Sequence, residues 1–142
     1  MKDPKIIVEL KRIAAANKGI LLPQKVVQAA KSKTSVLHGE FTWDDNTAAQ
    51  EYRLWQARSL INVCVEYIGT NGDEREMRVF VSLRKDRDEG GYRLLEKVVS
   101  SKTFRAQLLE DALAEMTFFR DKYKDLKELA EVFEAIDRLS KK

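Results

Sequence analysis

Between Ala48 and Leu83 the chain reads AAQEYRLWQARSLINVCVEYIGTNGDEREMRVFVSL, and its hydrophobic spacing changes partway along. The first part supplies strong helix formers without Gly or Pro. Leu54, Ala57 and Ile61 form one apolar face, and Ala48, Tyr52, Trp55 and Ser59 form an adjoining one. That width predicts a helix buried on more than one side, capped by Asp44 or Asp45. From Val63 the period drops to two: Val63, Val65 and Tyr67 alternate before GTNGDE, and Met77, Val79, Val81 and Leu83 alternate after it. Asn71 and Gly72 suit the positive-φ positions of a tight turn, so a two-stranded antiparallel ribbon follows the helix.

Two helices precede this segment. Asp3 and Pro4 supply an N-cap and a first helical position, after which Ile6, Ile7, Leu10, Ile13 and Ala14 recur at helical spacing up to Gly19. Pro23 opens a shorter helix, PQKVVQAAK, with Val26, Val27 and Ala30 on its apolar side. SKTSVLHGEF reads as a connection and RKDRDEGGYR as a solvated loop. Beyond LLEKVV, Ser100 or Ser101 caps a run from Lys102 onward that lacks Gly and Pro. Ala112, Met116, Phe119, Tyr123, Leu126, Ala130, Phe133 and Asp137 form its stripe. As one helix it would extend roughly 55–60 Å, too long to bury that stripe on so small a domain. It therefore either pairs with another chain, the favoured reading, or folds back near Arg120 to Asp125.

The expected fold class is α+β and mainly helical: a winged-helix-like unit of three helices plus a β-hairpin over 1–93, then a long helical oligomerisation segment over 94–142. In such a unit the third helix is the candidate recognition element and the hairpin is the wing. Trp43, Tyr52 and Trp55 are expected to lock that helix to the first two.

Composition sets the outer limits. A chain of 142 residues with 44% hydrophobic content can bury a core, and no apolar run approaches the roughly 20 residues of a membrane span. The N-terminus lacks the apolar run of a signal peptide and the lone cysteine, Cys64, needs no oxidising compartment, so a cytoplasmic location is expected. The net charge of +3 is uneven: residues 1–31 carry +5, while 32–61, 62–101 and 102–142 carry −1, −1 and 0.

No chemistry emerges from the polar residues, and neither enzyme activity nor a cofactor is expected. His38 is the single histidine, which excludes a multi-histidine zinc site, and Ser35 has no glycine-flanked elbow. Glu40, Asp44, Asp45 and Glu51 match no ion loop, and helix capping explains the aspartates without a metal. KDRDEGGYR lacks the glycine spacing and lysine of a phosphate loop. Cys64 reads as a small apolar packing residue.

What remains is binding. Lys5, Lys11, Arg12 and Lys18 form the basic first helix; Gln50, Arg53 and Arg58 are the polar groups of the third; Arg75 and Arg78 stand on the ribbon. Glutamine and arginine suit base-edge readout and the others suit phosphate, so double-stranded DNA is one expected partner. Asp44, Asp45, Asp73, Glu74 and Glu76 oppose it, and a protein partner is the alternative.

LPQKVVQAAKSKTSVLHGEFTWDDNTAAQEYRLWQAR, followed by VFVSL, GGYR and AQLLEDAL, resembles a group of small uncharacterised bacteriophage- and prophage-encoded proteins over nearly the whole chain from Leu22 onward. Its recognisable elements are Trp43, Asp44 and Asp45, then Tyr52, Arg53, Gln56, Ala57 and Arg58. The resemblance implies a phage setting, which makes three readings sensible: a DNA-binding regulator or packaging accessory, an adaptor that engages a phage or host protein, and an inhibitor of a host defence; it lends no catalytic residue.

Overall fold

The computed structural model describes residues 2–44, 47–69 and 71–141, with the side chains of Thr47 and Ala48 left out; Asp45, one of the two expected caps, lies outside the described residues. Contacts divide the chain into two units, Met1–Val98 and Val99–Lys142.

The first unit begins with α1, Pro4–Ala16, whose Asp3 carboxylate accepts the Lys5 amide hydrogen bond as an N-cap. Ile6, Ile7, Leu10, Ile13 and Ala14 are all buried, which is the face the spacing predicted. The helix stops because Lys18 and Gly19 take positive φ, letting the Gly19 amide return to the Ala14 carbonyl at 2.8 Å. After Leu21 comes α2, Pro23–Ala30, with Val26, Val27 and Ala30 inward. A 3₁₀ turn at His38–Glu40 then leads to α3, Thr47–Val63, which buries Leu54, Ala57, Leu60 and Ile61 against the same core.

The expected ribbon is present as β1, Val65–Ile68, paired antiparallel with β2, Arg75–Arg78, and Asn71 and Gly72 take positive φ in its turn. The alternation expected from Met77 to Leu83 does not continue as one strand. Val79 and Phe80 are both buried, whereas strict alternation buries only one of two neighbours. Val79 donates to the Cys64 carbonyl and accepts from Leu95, so the chain changes ladders at that residue. It continues as β3, Phe80–Val81, which pairs with β4, Arg93–Leu94, in a second hairpin that the sequence reading missed.

This second hairpin ties the helices together. Tyr92, next to β4, exchanges both backbone hydrogen bonds with Leu21 in the link between α1 and α2, at 2.7 and 2.9 Å. The order is thus helix, bridging residue, helix, helix, hairpin, hairpin: a winged-helix-like, mainly helical α+β unit. RKDRDEGGYR, expected to be a solvated loop, is pinned instead: Asp86 pairs with Arg93 at 2.7 Å, Gly90 supplies a positive φ, and Gly91 is buried against Ile20. A short α4, Leu95–Ser100, follows and buries Val98.

In the second unit Ser101 caps α5, Lys102–Tyr123, by accepting from the Phe104 amide, one of the two expected caps. The helical tail is not one continuous rod. The chain turns after Lys124, passes through a 3₁₀ turn at Lys127–Leu129 and returns as α6, Ala130–Ser140. Fold-back is therefore the outcome of the two expected. No Gly or Pro marks the reversal; it brings Phe119 to Phe133, with ring centroids 6.4 Å apart, and Arg120 to Asp137. Within α6 the buried residue is Ile136, which lies beside the expected stripe and not in it, while Met116, Phe119 and Leu126 of that stripe stay exposed. Among the described residues no helix is long and apolar enough to cross a membrane.

Candidate functional site

Helix α3 decides the site through which of its residues face inward and which face away. Leu54, Ala57, Leu60 and Ile61 claim the inward arc, and at 100° per residue Tyr52, Trp55, Ser59 and Val63 fall on the far side. Tyr52 is 48% exposed and Trp55 57%, with their rings stacked at 5.7 Å. The expectation that both lock α3 to the first two helices is thus corrected: only one apolar face of α3 is buried, and the aromatic pair stands on the other.

Arg53, expected to contact a partner, points inward at 7% exposure. Its Nε and one terminal nitrogen donate to the carbonyls of Thr42 and Asp44, each at 2.9 Å, and its guanidinium lies 5.0 Å from the centre of the Trp43 ring. Trp43 also stacks on His38, with centroids 5.0 Å apart and planes within 7°. Trp43 Nε1 donates to the His38 carbonyl, and His38 Nδ1 lies 2.8 Å from the Ala30 carbonyl oxygen. Because a carbonyl can only accept, that nitrogen carries the proton. The stack Arg53, Trp43, His38 therefore staples the α2–α3 connection to both helices. Of the three aromatics, Trp43 alone is scaffold as expected.

Beside Trp55 runs a groove of about 270 Å³ lined by Lys2, Glu40, Trp55, Gln56, Ser59, Leu60 and Val63. Lys2 and Glu40 form an ion pair at 2.7 Å along it. Gln56 accepts from the Thr42 amide, so the groove wall is fixed to the same connection that Arg53 holds. Ridge and groove belong to one surface, apolar at its centre and polar at its rim.

The predicted basic residues are scattered. Lys5, in the first turn of α1, and Lys18, two residues past its end, are exposed. Lys11 is held by Glu66 of β1 at 2.8 Å. Arg12 pairs with Glu9 through two hydrogen bonds, an arrangement that holds the Glu9 carboxyl below its usual range and raises Arg12. Arg78 donates to Asn62, and Gln50, Arg58 and Arg75 are exposed. A second groove, about 380 Å³, lies between α1 and α2 over Ile13, Ala16 and Ala29, with Arg12, Asn17, Lys25 and Gln28 around it. Lys25 was not singled out in the sequence, although it belongs to the +5 segment.

Cys64 is buried and donates weakly to the Leu60 carbonyl. Burial pushes its thiol up to about 11, with Lys2 opposing and Glu40 and Glu66 adding to the shift, so the thiolate of a nucleophile is disfavoured. Among the described residues no three His, Cys, Asp or Glu side chains converge as metal ligands. In comparisons with known proteins, no family model, no curated protein and no solved structure matches the chain.

Proposed function

We propose that this chain is a non-enzymatic, protein-binding adaptor of phage or prophage origin, acting in the host cytoplasm, which engages a phage or host protein through the Tyr52–Trp55 ridge of α3. The observation that carries this reading is the exposed, stacked aromatic pair beside a groove with a polar rim. Tryptophan and tyrosine dominate the energetics of protein interfaces because each buries a large apolar area at little entropic cost, and a rigid apolar centre inside a polar rim is the usual anatomy of a hot spot. Arg58, exposed on the same helix, adds a directional donor.

Double-stranded DNA is the second reading, favoured by Lys5, Lys18, Lys25, Arg58 and Arg75 on the surface. It is weakened because Lys11, Arg12 and Arg78 are engaged by Glu66, Glu9 and Asn62, and because Arg53 is committed to backbone carbonyls. A nuclease-treated capture from infected cells, using wild type, Tyr52→Ser/Trp55→Ser and Lys5→Glu/Lys18→Glu, separates the two. The adaptor reading expects a nuclease-resistant complex lost only in the aromatic variant. Salt-sensitive duplex retardation lost only in the lysine variant would replace it with the DNA reading.

A further inference from the structure

The groove beside Trp55 has a polarity and a length that specify the chemistry of its partner, an inference that rests on the adaptor reading. Its α3 wall consists of Trp55 and Gln56, then Ser59 and Leu60, then Val63, and so runs along the helix for about 12 Å at 1.5 Å per residue. Trp55 and Val63 stand exposed at its two ends, with the buried Leu60 between them. We infer that the occupant is an uncharged, proline-rich segment in the polyproline II conformation, lying along α3 between the Trp55 ring and the Lys2–Glu40 pair.

Charge, hydrogen bonding and spacing agree on that occupant. The two charged residues that line the groove, Lys2 and Glu40, neutralise one another at 2.7 Å, so the groove selects neither an acidic nor a basic chain. Among the described residues neither the Trp55 indole N–H nor the Ser59 hydroxyl meets a protein acceptor, and Gln56 Nε2 gives one hydrogen to Thr42 Oγ1 and keeps the other. The wall therefore offers donors, and its complement is a row of acceptors. A helix has already committed its carbonyls to its own amides, and an added strand needs a main-chain edge that α3 lacks. A polyproline II chain leaves its carbonyls unpaired, its prolines carry no N–H, and it enters an aromatic-lined groove already ordered. The spacing fits as well. Trp55 and Ser59, four residues apart, are separated by about 6 Å along α3, and alternate carbonyls of such a chain recur every ~6.2 Å, so the whole wall spans about four of its residues.

Calorimetric titration of the full chain with a synthetic peptide of prolines, about ten residues long, against a Gly–Ser peptide of equal length tests this. Saturable binding of the proline peptide alone is expected. Ser59→Ala, which removes the hydroxyl, and Trp55→Phe, which removes the indole N–H but keeps a ring, should each weaken it about three- to tenfold. Tyr52→Ser/Trp55→Ser should abolish it, and Lys5→Glu/Lys18→Glu should leave it unchanged. No saturable binding, equal binding of both peptides, or binding that survives Tyr52→Ser/Trp55→Ser would each overturn the inference. A chain that captures a protein from infected cells through Tyr52 and Trp55 yet ignores the proline peptide overturns the proline assignment and leaves the adaptor reading standing. Capture that does not depend on Tyr52 and Trp55 overturns both.

Discussion

Arg53→Met replaces a buried guanidinium with an apolar side chain of similar reach, and its cost follows from three contacts. Two charge-assisted hydrogen bonds run to the carbonyls of Thr42 and Asp44, and the guanidinium covers the Trp43 ring. A hydrogen bond to a charged group contributes about 1.5–3 kcal/mol, and a partly desolvated cation–π contact about 1 kcal/mol. Against this stands the cost of holding a charge at 7% exposure, which the variant no longer bears. The net loss is about 2–4 kcal/mol, a large fraction of the ~5–15 kcal/mol that holds a domain together. Arg53→Lys, which cannot fork to both carbonyls, should lose about 1–2 kcal/mol. Urea unfolding monitored by tryptophan fluorescence checks both, with the denaturant slope unchanged. A loss under about 0.5 kcal/mol for Arg53→Met, the range of an ordinary surface substitution, would refute the staple and return Arg53 to the candidate contacts.

Further outcomes follow from the same structure. Tyr52→Ser and Trp55→Ser should each change stability by no more than about 0.5 kcal/mol, since neither ring is committed to the core; equilibrium unfolding checks this. Gly69→Ala should cost about 1–3 kcal/mol in thermal unfolding, because its φ of +121° disfavours a side chain and a Cβ there meets the Asp73 backbone. Cys64 should resist thiol reagents in the folded state. Its folded pKa lies above the unfolded value, so its contribution to stability is intact below pH 9.0 and is lost as pH rises toward about 11; urea midpoints across that window should fall more for wild type than for Cys64→Ala.

The features legible in the sequence were those governed by local rules. Asp3 with Pro4, the spacing from Ile6 to Ala14, Asn71–Gly72 and Ser101 each announce a cap, a face or a turn through chemistry confined to a few residues. The second hairpin was not legible because β3 and β4 are two residues long, too short to show a period, and because the Leu21–Tyr92 bridge joins positions far apart in the chain. The fold-back at Lys124 was open for a related reason: the same stripe can be buried by a second chain or by its own continuation, and periodicity does not distinguish them.

Candidate site residues were harder to read. Helical spacing placed Tyr52 and Trp55 on one arc and Leu54, Ala57 and Ile61 on another, but hydrophobicity alone cannot decide which large apolar face is covered. Arg53 looked like a surface cation because its acceptors are backbone carbonyls, which no sequence pattern reveals. Lys11 looked available because Glu66, its partner, lies 55 residues away.

Helix α3 faces one way, with Arg53 inward and Trp55 outward, and acrylamide quenching of single-tryptophan variants measures that directly. Trp43→Phe, which leaves Trp55 as the sole emitter, should give red-shifted, readily quenched fluorescence, while Trp55→Phe should leave a blue-shifted, protected Trp43. A protected Trp55 in the isolated protein would contradict the account.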